Sequence, residues 1–250
     1  MSFSFRGMNA RRFRNRATVC LFLVAGLLAP DRPAFGAGGK CAGREGDADC
    51  GLYVIARKCV DTTAVDYCTA CPSPRPGYCP EKRPCDRTTE VWAANSKYAA
   101  IRDLGMCDCN QIMHGLVIPF GAVSGIEDID RPLTIWKFAW DVASGIMDPN
   151  QVALIASSPS TRTQSQLHIH ILPLEPKNEQ ALETTATETV TDLYAVWAKA
   201  DELAKSKDLA SPGILLHKVV AGWHVHLEEA PLADRYTKLP DCVWLNRKKR

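Results

Sequence analysis

Polar and apolar residues alternate along one segment of the chain, Gln166–Leu172. Successive side chains of a β-strand leave on opposite faces, so residues two apart share a face. The alternation therefore predicts a strand with an apolar stripe towards a core, formed by Leu167, Ile169 and Ile171. Its opposite face carries the polar members, Gln166, His168 and His170.

Short apolar runs predict further strands. Val152–Ala156 has the composition of a buried strand and is followed by the loop Ser157–Ser165. A short loop cannot make the crossover that parallel pairing needs, so we expect this strand to lie antiparallel to the alternating one. A third buried strand is expected at Leu116–Pro119.

Two more strands are expected near the C-terminus, at 214–220 and 223–227. The pair Ala221-Gly222 between them is a plausible turn, which predicts a hairpin. Near the other end of the chain, the run Leu52–Ala56 also resembles a strand.

Three segments are expected to be helical. The first begins at Thr88, a good N-cap residue, and extends to about Leu104. The second opens at Pro132 and ends near Gly145, with Trp136, Phe138 and Trp140 available for packing. The third covers Asn178 to Lys205, where apolar residues form an interrupted stripe. Together these elements predict an α+β fold, with helices packed on one antiparallel sheet.

The N-terminal segment has the features of an export signal. Four arginines between Arg11 and Arg16 precede the apolar run Ala17–Ala29. This run is shorter than the roughly 20 residues of a transmembrane helix and suits a signal peptide. We therefore expect residues 1–37 to be a signal peptide or an uncleaved membrane anchor, and the protein to be exported to a periplasmic or other extracytoplasmic location.

Cysteine usage favours the same compartment. The chain has eleven cysteines, and ten would remain after removal of Cys20. Most fall between Cys41 and Cys109, which predicts a disulfide framework in an oxidising compartment. A zinc knuckle or a redox pair at Cys68 and Cys71 is the alternative.

The sequence therefore divides into three expected regions, the first of which is the signal segment at residues 1–37. Residues 38–87 are rich in cysteine and proline, with too few apolar residues for a core of their own, so we expect a disulfide-dependent extension. Residues 88–250 form the expected main domain, which contains the alternating segment. The net charge of +2 offers no argument for nucleic acid as a partner.

The histidine pair has three explanations. His168 and His170 are hydrogen-bonded or solvent-facing without a function, or they bind zinc or copper, or one of them is a nucleophile that attacks phosphorus. His224 and His226 repeat the same His-x-His spacing, which keeps the metal alternative open.

A family resemblance favours the nucleophile. Gln166–Pro173 is similar to the motif of the histidine-triad superfamily, and Thr163–Ile171 resembles its CDP-diacylglycerol diphosphatase (pyrophosphatase) branch, where glutamine takes the first triad position. His114–Pro119 with Val123–Glu127 resembles the preceding strand and loop of that branch. Trp136–Trp140 resembles its intervening helix.

The resemblance implies a HIT-like (histidine-triad) fold and hydrolysis of CDP-diacylglycerol to CMP and phosphatidate. In the implied mechanism, neutral His168 attacks the nucleotide's phosphorus, the lipid phosphate leaves, and water releases CMP from the covalent intermediate. His170 would support the leaving group. In a register two residues later, His170 would itself be the nucleophile. His114 either supports the triad or caps a strand.

Polar residues before the strand are expected to bind the substrate. The set comprises Arg162, Thr163, Gln164, Ser165 and Gln166. Arg162 is the candidate for neutralising charge in the transition state. This mechanism requires no metal or other cofactor.

Two alternative functions remain at this point. One is a nucleotidyl hydrolase or transferase acting on a soluble nucleotide diphosphate, and the other is a secreted metal- or ligand-binding protein. The expected partner is a phospholipid-nucleotide substrate at a membrane surface, with a homodimer as a further expectation and no nucleic acid.

Overall fold

One sheet of eight strands organises the part of the chain that this computed structural model describes, residues 40–60, 91–103, 114–175, 182 and 186–237. The strands are β1 Val91–Ala94, β2 Tyr98–Arg102, β3 Gly115–Pro119, β4 Val152–Ala156, β5 Ile169–Pro173, β6 Ala186–Val190, β7 Gly213–Val219 and β8 Gly222–Glu228. Their order across the sheet is β1-β2-β3-β5-β4-β7-β8-β6, and each neighbouring pair is antiparallel.

Helices and helical turns flank this sheet. The α-helices are α1 Gly51–Val54, α2 Ile135–Ile146, α3 Val196–Ser206 and α4 Leu232–Tyr236. A π-helical turn, Ile55–Cys59, continues α1. Short 3-10 turns lie at Ala48–Cys50, Pro149–Gln151 and Leu193–Ala195. The predicted α+β class, an antiparallel sheet with packed helices, is confirmed.

The main core lies between one face of the sheet, here called the first face, and helices α2 and α3. Trp136 of α2 and Trp197 of α3 pack edge to face with ring centroids 5.0 Å apart. The predicted apolar stripe of Leu167, Ile169 and Ile171 belongs to this core, which confirms its direction.

The opposite, second face carries two smaller apolar clusters. The N-terminal segment packs Leu52 and Ile55 against β2 and β3. Helix α4 packs Leu232 and Tyr236 against β4, β5 and β7. In β5, His170 lies between Leu116 of β3 and Ile155 of β4 in the strand register, so it is on this second face between the two clusters.

Several predicted elements are confirmed. Strand β4 has the predicted bounds, and it pairs antiparallel with β5. The hairpin near the C-terminus is β7 and β8. Helix α2 begins at Ile135, three residues after the proline expected to open it. Each was predicted from local sequence: β4 from its apolar composition, the hairpin from its turn residues, and α2 from its opening proline.

The helix predicted from Thr88 to about Leu104 is wrong for the residues described there. Strands β1 and β2 occupy the segment, and the Asn95 carboxamide oxygen accepts from the backbone N–H groups of Lys97 and Tyr98 in the turn between them. All five residues of β2 are buried. Burial on both faces gives a strand without polar alternation, so its period could not be distinguished from that of a buried helix.

Of the third predicted helix, the described residues from Val196 onwards are helical and residues 183–185 lie outside the described part of the chain. Strand β6 takes the place of its middle part and pairs with β8, and Asp192 caps the 3-10 turn that leads into α3. The β-branched residues Thr187, Thr189 and Val190 favour the strand. Residues 178–181 lie outside the described part of the chain.

The strand expected at Leu52–Ala56 is also wrong, because these residues are helical. Ile55 and Ala56 lie three and four positions after Leu52, and the three residues face the sheet together, as one side of a helix does. A short apolar run without alternation is compatible with either structure.

The N-terminal extension contains a disulfide between Cys41 and Cys50. The predicted signal segment and most of the other cysteines lie outside the described residues. Within the described part of the chain, no helix is long and apolar enough to cross a membrane.

Candidate active site

The two predicted histidines lie at the beginning of β5. The strand begins at Ile169, so Gln166 and His168 precede it, yet the alternation of faces continues through them. His168 is buried, His170 is half-buried, and their rings meet edge to face at 4.7 Å. The structure therefore brings together the pair that the alternating pattern indicated.

Hydrogen bonding determines which nitrogen of His168 carries the proton. Its Nδ1 lies 2.8 Å from the backbone oxygen of Gln166. A carbonyl oxygen can only accept, so Nδ1–H donates and Nε2 of the neutral ring keeps its lone pair. Burial lowers the pKa of His168 below its usual value, which keeps this ring neutral. Within the described residues no hydrogen bond occupies Nε2.

His170 belongs to a chain of polar groups that reaches a carboxylate. Its Nδ1 lies 2.8 Å from Nε2 of His114, and Nδ1 of His114 lies 2.6 Å from a carboxylate oxygen of Asp103. His114 Nδ1 makes no hydrogen bond of regular geometry within the described residues, but its contact with the Asp103 carboxylate favours a proton on this nitrogen. His114 Nε2 is then the acceptor for His170 Nδ1–H. His114 thus links His170 to the negative charge of Asp103.

Asp103 was missed by the sequence analysis, whereas His114 was expected to support the triad or cap a strand. Asp103 follows β2 and His114 precedes β3, and the N–H of Asp103 donates to the carbonyl oxygen of His114 at 3.0 Å. Recognising β2 as a strand antiparallel to β3 would have placed the two residues side by side.

Gln166 is fully buried beside these histidines. Its amide nitrogen donates to the backbone oxygens of Pro119 and Gly121, at 3.0 and 2.8 Å. These bonds tie the start of β5 to the end of β3. The amide oxygen has no hydrogen-bond partner among the described residues.

Arg162 lies within the electrostatic reach of the site. Its guanidinium forms two hydrogen bonds of 2.6 Å with the carboxylate of Glu127, and its side chain is only 8% exposed. Its positive charge is one of the smaller causes that lower the pKa of His168. A β-carbon at Gly125 would come within 1.9 Å of this guanidinium, so the loop lies directly against it.

Gln164 and Ser165 hold the N-terminal segment. The N–H of Ser165 donates to the backbone oxygen of Asp49 at 2.6 Å, and its hydroxyl donates to the Asp49 carboxylate. The Gln164 side chain accepts from the N–H of Leu52 and donates to the backbone oxygen of Ala48. Their roles in phosphate binding stay predictions, since substrate would have to share or replace these partners.

This geometry suits the two histidines to two complementary chemical roles. His168 presents an unprotonated imidazole nitrogen, which suits a nucleophile. His170 is coupled through His114 to a carboxylate, which suits proton donation or hydrogen bonding to a leaving group. His170 projects from β5 and His168 from the residue directly before it, and the apolar side chains Leu167, Ile169 and Ile171 anchor this segment in the core on the other face.

Comparison with known families gives one result for this region. The family model described as CDP-diacylglycerol pyrophosphatase matches residues 81–207. This range includes the strands and loops that carry the two histidines, His114, Asp103 and Arg162. No curated protein matches the sequence significantly.

Proposed function

The chain belongs to the CDP-diacylglycerol pyrophosphatase family and is a hydrolase acting on a phosphoanhydride, and on that premise we propose that it cleaves CDP-diacylglycerol through a covalent nucleotidyl–His168 intermediate. CMP and phosphatidate are the products. The observation that carries this proposal is the 2.8 Å contact between Nδ1 of His168 and the Gln166 carbonyl, which leaves Nε2 without a proton.

A neutral imidazole suits attack on a diphosphate. Anionic oxygens repel charged nucleophiles, whereas neutral His168 adds no negative charge as it approaches. A bond forms between Nε2 and the cytidine-bearing phosphorus, and the bond from that phosphorus to the bridging oxygen breaks. Phosphatidate departs with the bridging oxygen, and water then cleaves the nitrogen–phosphorus bond and releases CMP.

His170 has the position and connections of the leaving-group residue. Its ring is 4.7 Å from that of His168, and the His114–Asp103 chain stabilises its protonated form. Donation of a proton or hydrogen bond to the bridging oxygen would offset the charge that develops there. The proposed protonated state argues against the register in which His170 attacks, because a protonated ring has no lone pair to form a bond with phosphorus.

Charge balance for the phosphates comes from groups around the start of β5. Arg162 contributes a positive charge near His168, although Glu127 neutralises part of it. Gln166 retains an amide oxygen, which can accept from a ribose hydroxyl. The roles of Thr163, Gln164 and Ser165 in this cradle are part of the same proposal.

The cellular setting is proposed from the sequence. The basic residues before Ala17–Ala29 and the abundance of cysteines support export, with the enzyme at a membrane surface where its lipid substrate resides. Action in the periplasm or another extracytoplasmic space, and assembly as a homodimer, complete the proposal.

A single-turnover experiment tests the mechanism. Excess enzyme is mixed with CDP-diacylglycerol labelled on the cytidine-bearing phosphate, and label on denatured protein is measured over time. The wild type should form and lose an acid-labile adduct. His168→Ala should form none, whereas His170→Ala should still form the adduct slowly from a cytidine monophosphate ester with a good leaving group.

The two variants are matched controls for each other, and thermal melts establish that both are folded. An adduct present in His168→Ala and absent in His170→Ala would assign the nucleophile to His170. CMP release without any adduct, and with inversion at a chiral phosphorothioate, would contradict the covalent mechanism. No cleavage of this lipid would remove it as the substrate.

A further inference from the structure

A second histidine cluster lies on the second face of the sheet, in β7 and β8. It comprises His217, His224 and His226. One row of cross-strand partners runs from His170 through Ile155 and Leu215 to His226. Three inter-strand steps separate the ends of this row by about 14 Å. All three residues also lie beyond residue 207, outside the range of the family match.

Sheet geometry makes the three rings converge. His217 and His224 are direct partners in the β7–β8 register, and His226 is two residues from His224 on the same face. The ring centroids are separated by 5.0 Å between His217 and His226, 5.4 Å between His217 and His224, and 5.7 Å between His224 and His226. One nitrogen from each ring lies within 4.8 Å of the other two.

The closest approach is between Nε2 of His217 and Nε2 of His226, at 2.9 Å. A hydrogen bond between these two rings accounts for that contact alone. It leaves unexplained why a nitrogen of a third imidazole lies within 4.8 Å of both. Neutral imidazoles are common ligands of transition metals, and three of them with one open position is a known zinc arrangement.

Thr187 prepares one ring for metal binding. Its hydroxyl donates its single proton to the backbone oxygen of Leu182 at 3.0 Å, so it accepts from Nδ1–H of His226 at 2.5 Å. Nε2 of His226 therefore has a lone pair. Metal-bound histidines usually donate their other N–H to such an outer partner, which orients the ring.

Burial gives the cluster one accessible side. His217 and His226 are 2% and 1% exposed, whereas His224 is half-buried. A cation would enter beside His224 and be held from below by the two buried rings. We propose that His217, His224 and His226 bind a divalent transition-metal cation of the zinc class, at a site separate from the proposed catalytic histidines.

Zinc titration of the purified, disulfide-bonded protein tests this site. We expect one zinc ion per chain, and a rise in melting temperature of about 5 °C or more when zinc exceeds its dissociation constant 100-fold. His224→Gln should weaken binding by more than about ten-fold, and Thr187→Val by about ten-fold. His168→Ala is the matched control and should bind zinc as the wild type does.

Cobalt(II) gives an independent readout, because thiolate ligands add strong near-ultraviolet charge-transfer bands that imidazole ligands lack. The bound cobalt spectrum should show no such bands, and imidazole nitrogen resonances should shift for these three residues. Loss of binding in His168→Ala would locate the metal at the other histidine pair. The proposal would be overturned by that result or by thiolate bands in the cobalt spectrum. It would also be overturned by unchanged binding in folded His224→Gln, or by no binding in the wild type.

Discussion

At the scale of residues, histidines of the same sequence pattern differ in what their Nδ1 groups contact. His168 donates to a backbone carbonyl, His170 to another imidazole, and His226 to a threonine hydroxyl. Each partner fixes a tautomer and therefore the properties of the opposite nitrogen. A carbonyl partner gives a fixed neutral ring, whereas a relay to Asp103 stabilises a protonated one.

Asp103 is accordingly expected to act as a positioning residue through His114. Asp103→Asn should lower kcat by about ten- to a hundred-fold with little change in KM, because the charge that supports protonated His170 is lost. The loss should be much smaller with a cytidine monophosphate ester whose leaving group needs no proton. Steady-state kinetics with both substrates measure this difference.

A surface carboxylate provides the control for this substitution. Asp201, which pairs with Arg131 and has a side chain 59% exposed, should tolerate Asp201→Asn with wild-type kinetics. Equal losses with the two substrates in Asp103→Asn would mean that Asp103 has only a structural role.

At the scale of elements, the β7–β8 hairpin contains buried imidazoles that resist protonation. Burial is the main cause that lowers the pKa of His217 to about 4 and of His226 to about 3. In the unfolded chain both titrate near 6.5, so between pH 6.5 and 4 the unfolded state binds more protons than the folded state. Stability is therefore lost as pH falls through this window.

We expect the free energy of unfolding to be lower at pH 5 than at pH 7 by about 2 kcal/mol for each of these rings. Urea unfolding with a metal chelator present measures it. The variant His217→Gln should show a shallower pH dependence, because one buried imidazole is removed. If the free energy of unfolding depended on pH equally in the wild type and in His217→Gln, the loss of stability at low pH would be due to other titratable groups.

At the scale of the whole molecule, the N-terminal segment is part of the packed structure. Leu52 and Ile55 cover the second face at β2 and β3, and Asp49 binds Ser165 just before the histidines. Removing this segment would therefore expose apolar sheet and release the loop that leads into the site. A segment too poor in apolar residues for its own core contributes to the core of the larger domain.

Ile55→Ala tests this coupling. Ile55 is 3% exposed, so the substitution should lower the free energy of unfolding by about 2–4 kcal/mol. Ile129→Ala is the matched control, because Ile129 is 94% exposed and its loss should change stability by less than about 0.5 kcal/mol. Denaturant unfolding measures the free energy of unfolding of both variants. Equal changes would show that the N-terminal segment adds little to stability.

Much of the candidate site was predictable from local patterns. The alternation around His168 and His170 identified their shared face because the strand repeats every two residues and one face is buried. Other local signals located β4 by its apolar composition, α2 by its opening proline, and the β7–β8 hairpin by its turn residues. Each of these elements has a pattern that its own residues contain.

Tertiary structure alone decided the rest. The segments of β2 and β6 are strands because they pair with other strands, β3 and β8 respectively. The side chains of β2 are all buried, so its sequence has no periodic pattern. Asp103 lies beside His114, and His217 beside His226, because antiparallel pairing brings residues of neighbouring strands together. The chain's sequence by itself determined which side chains share a face of one element. The order of strands across the sheet determined which residues of different strands lie side by side. Such cross-strand contacts depend on partners that no local pattern specifies.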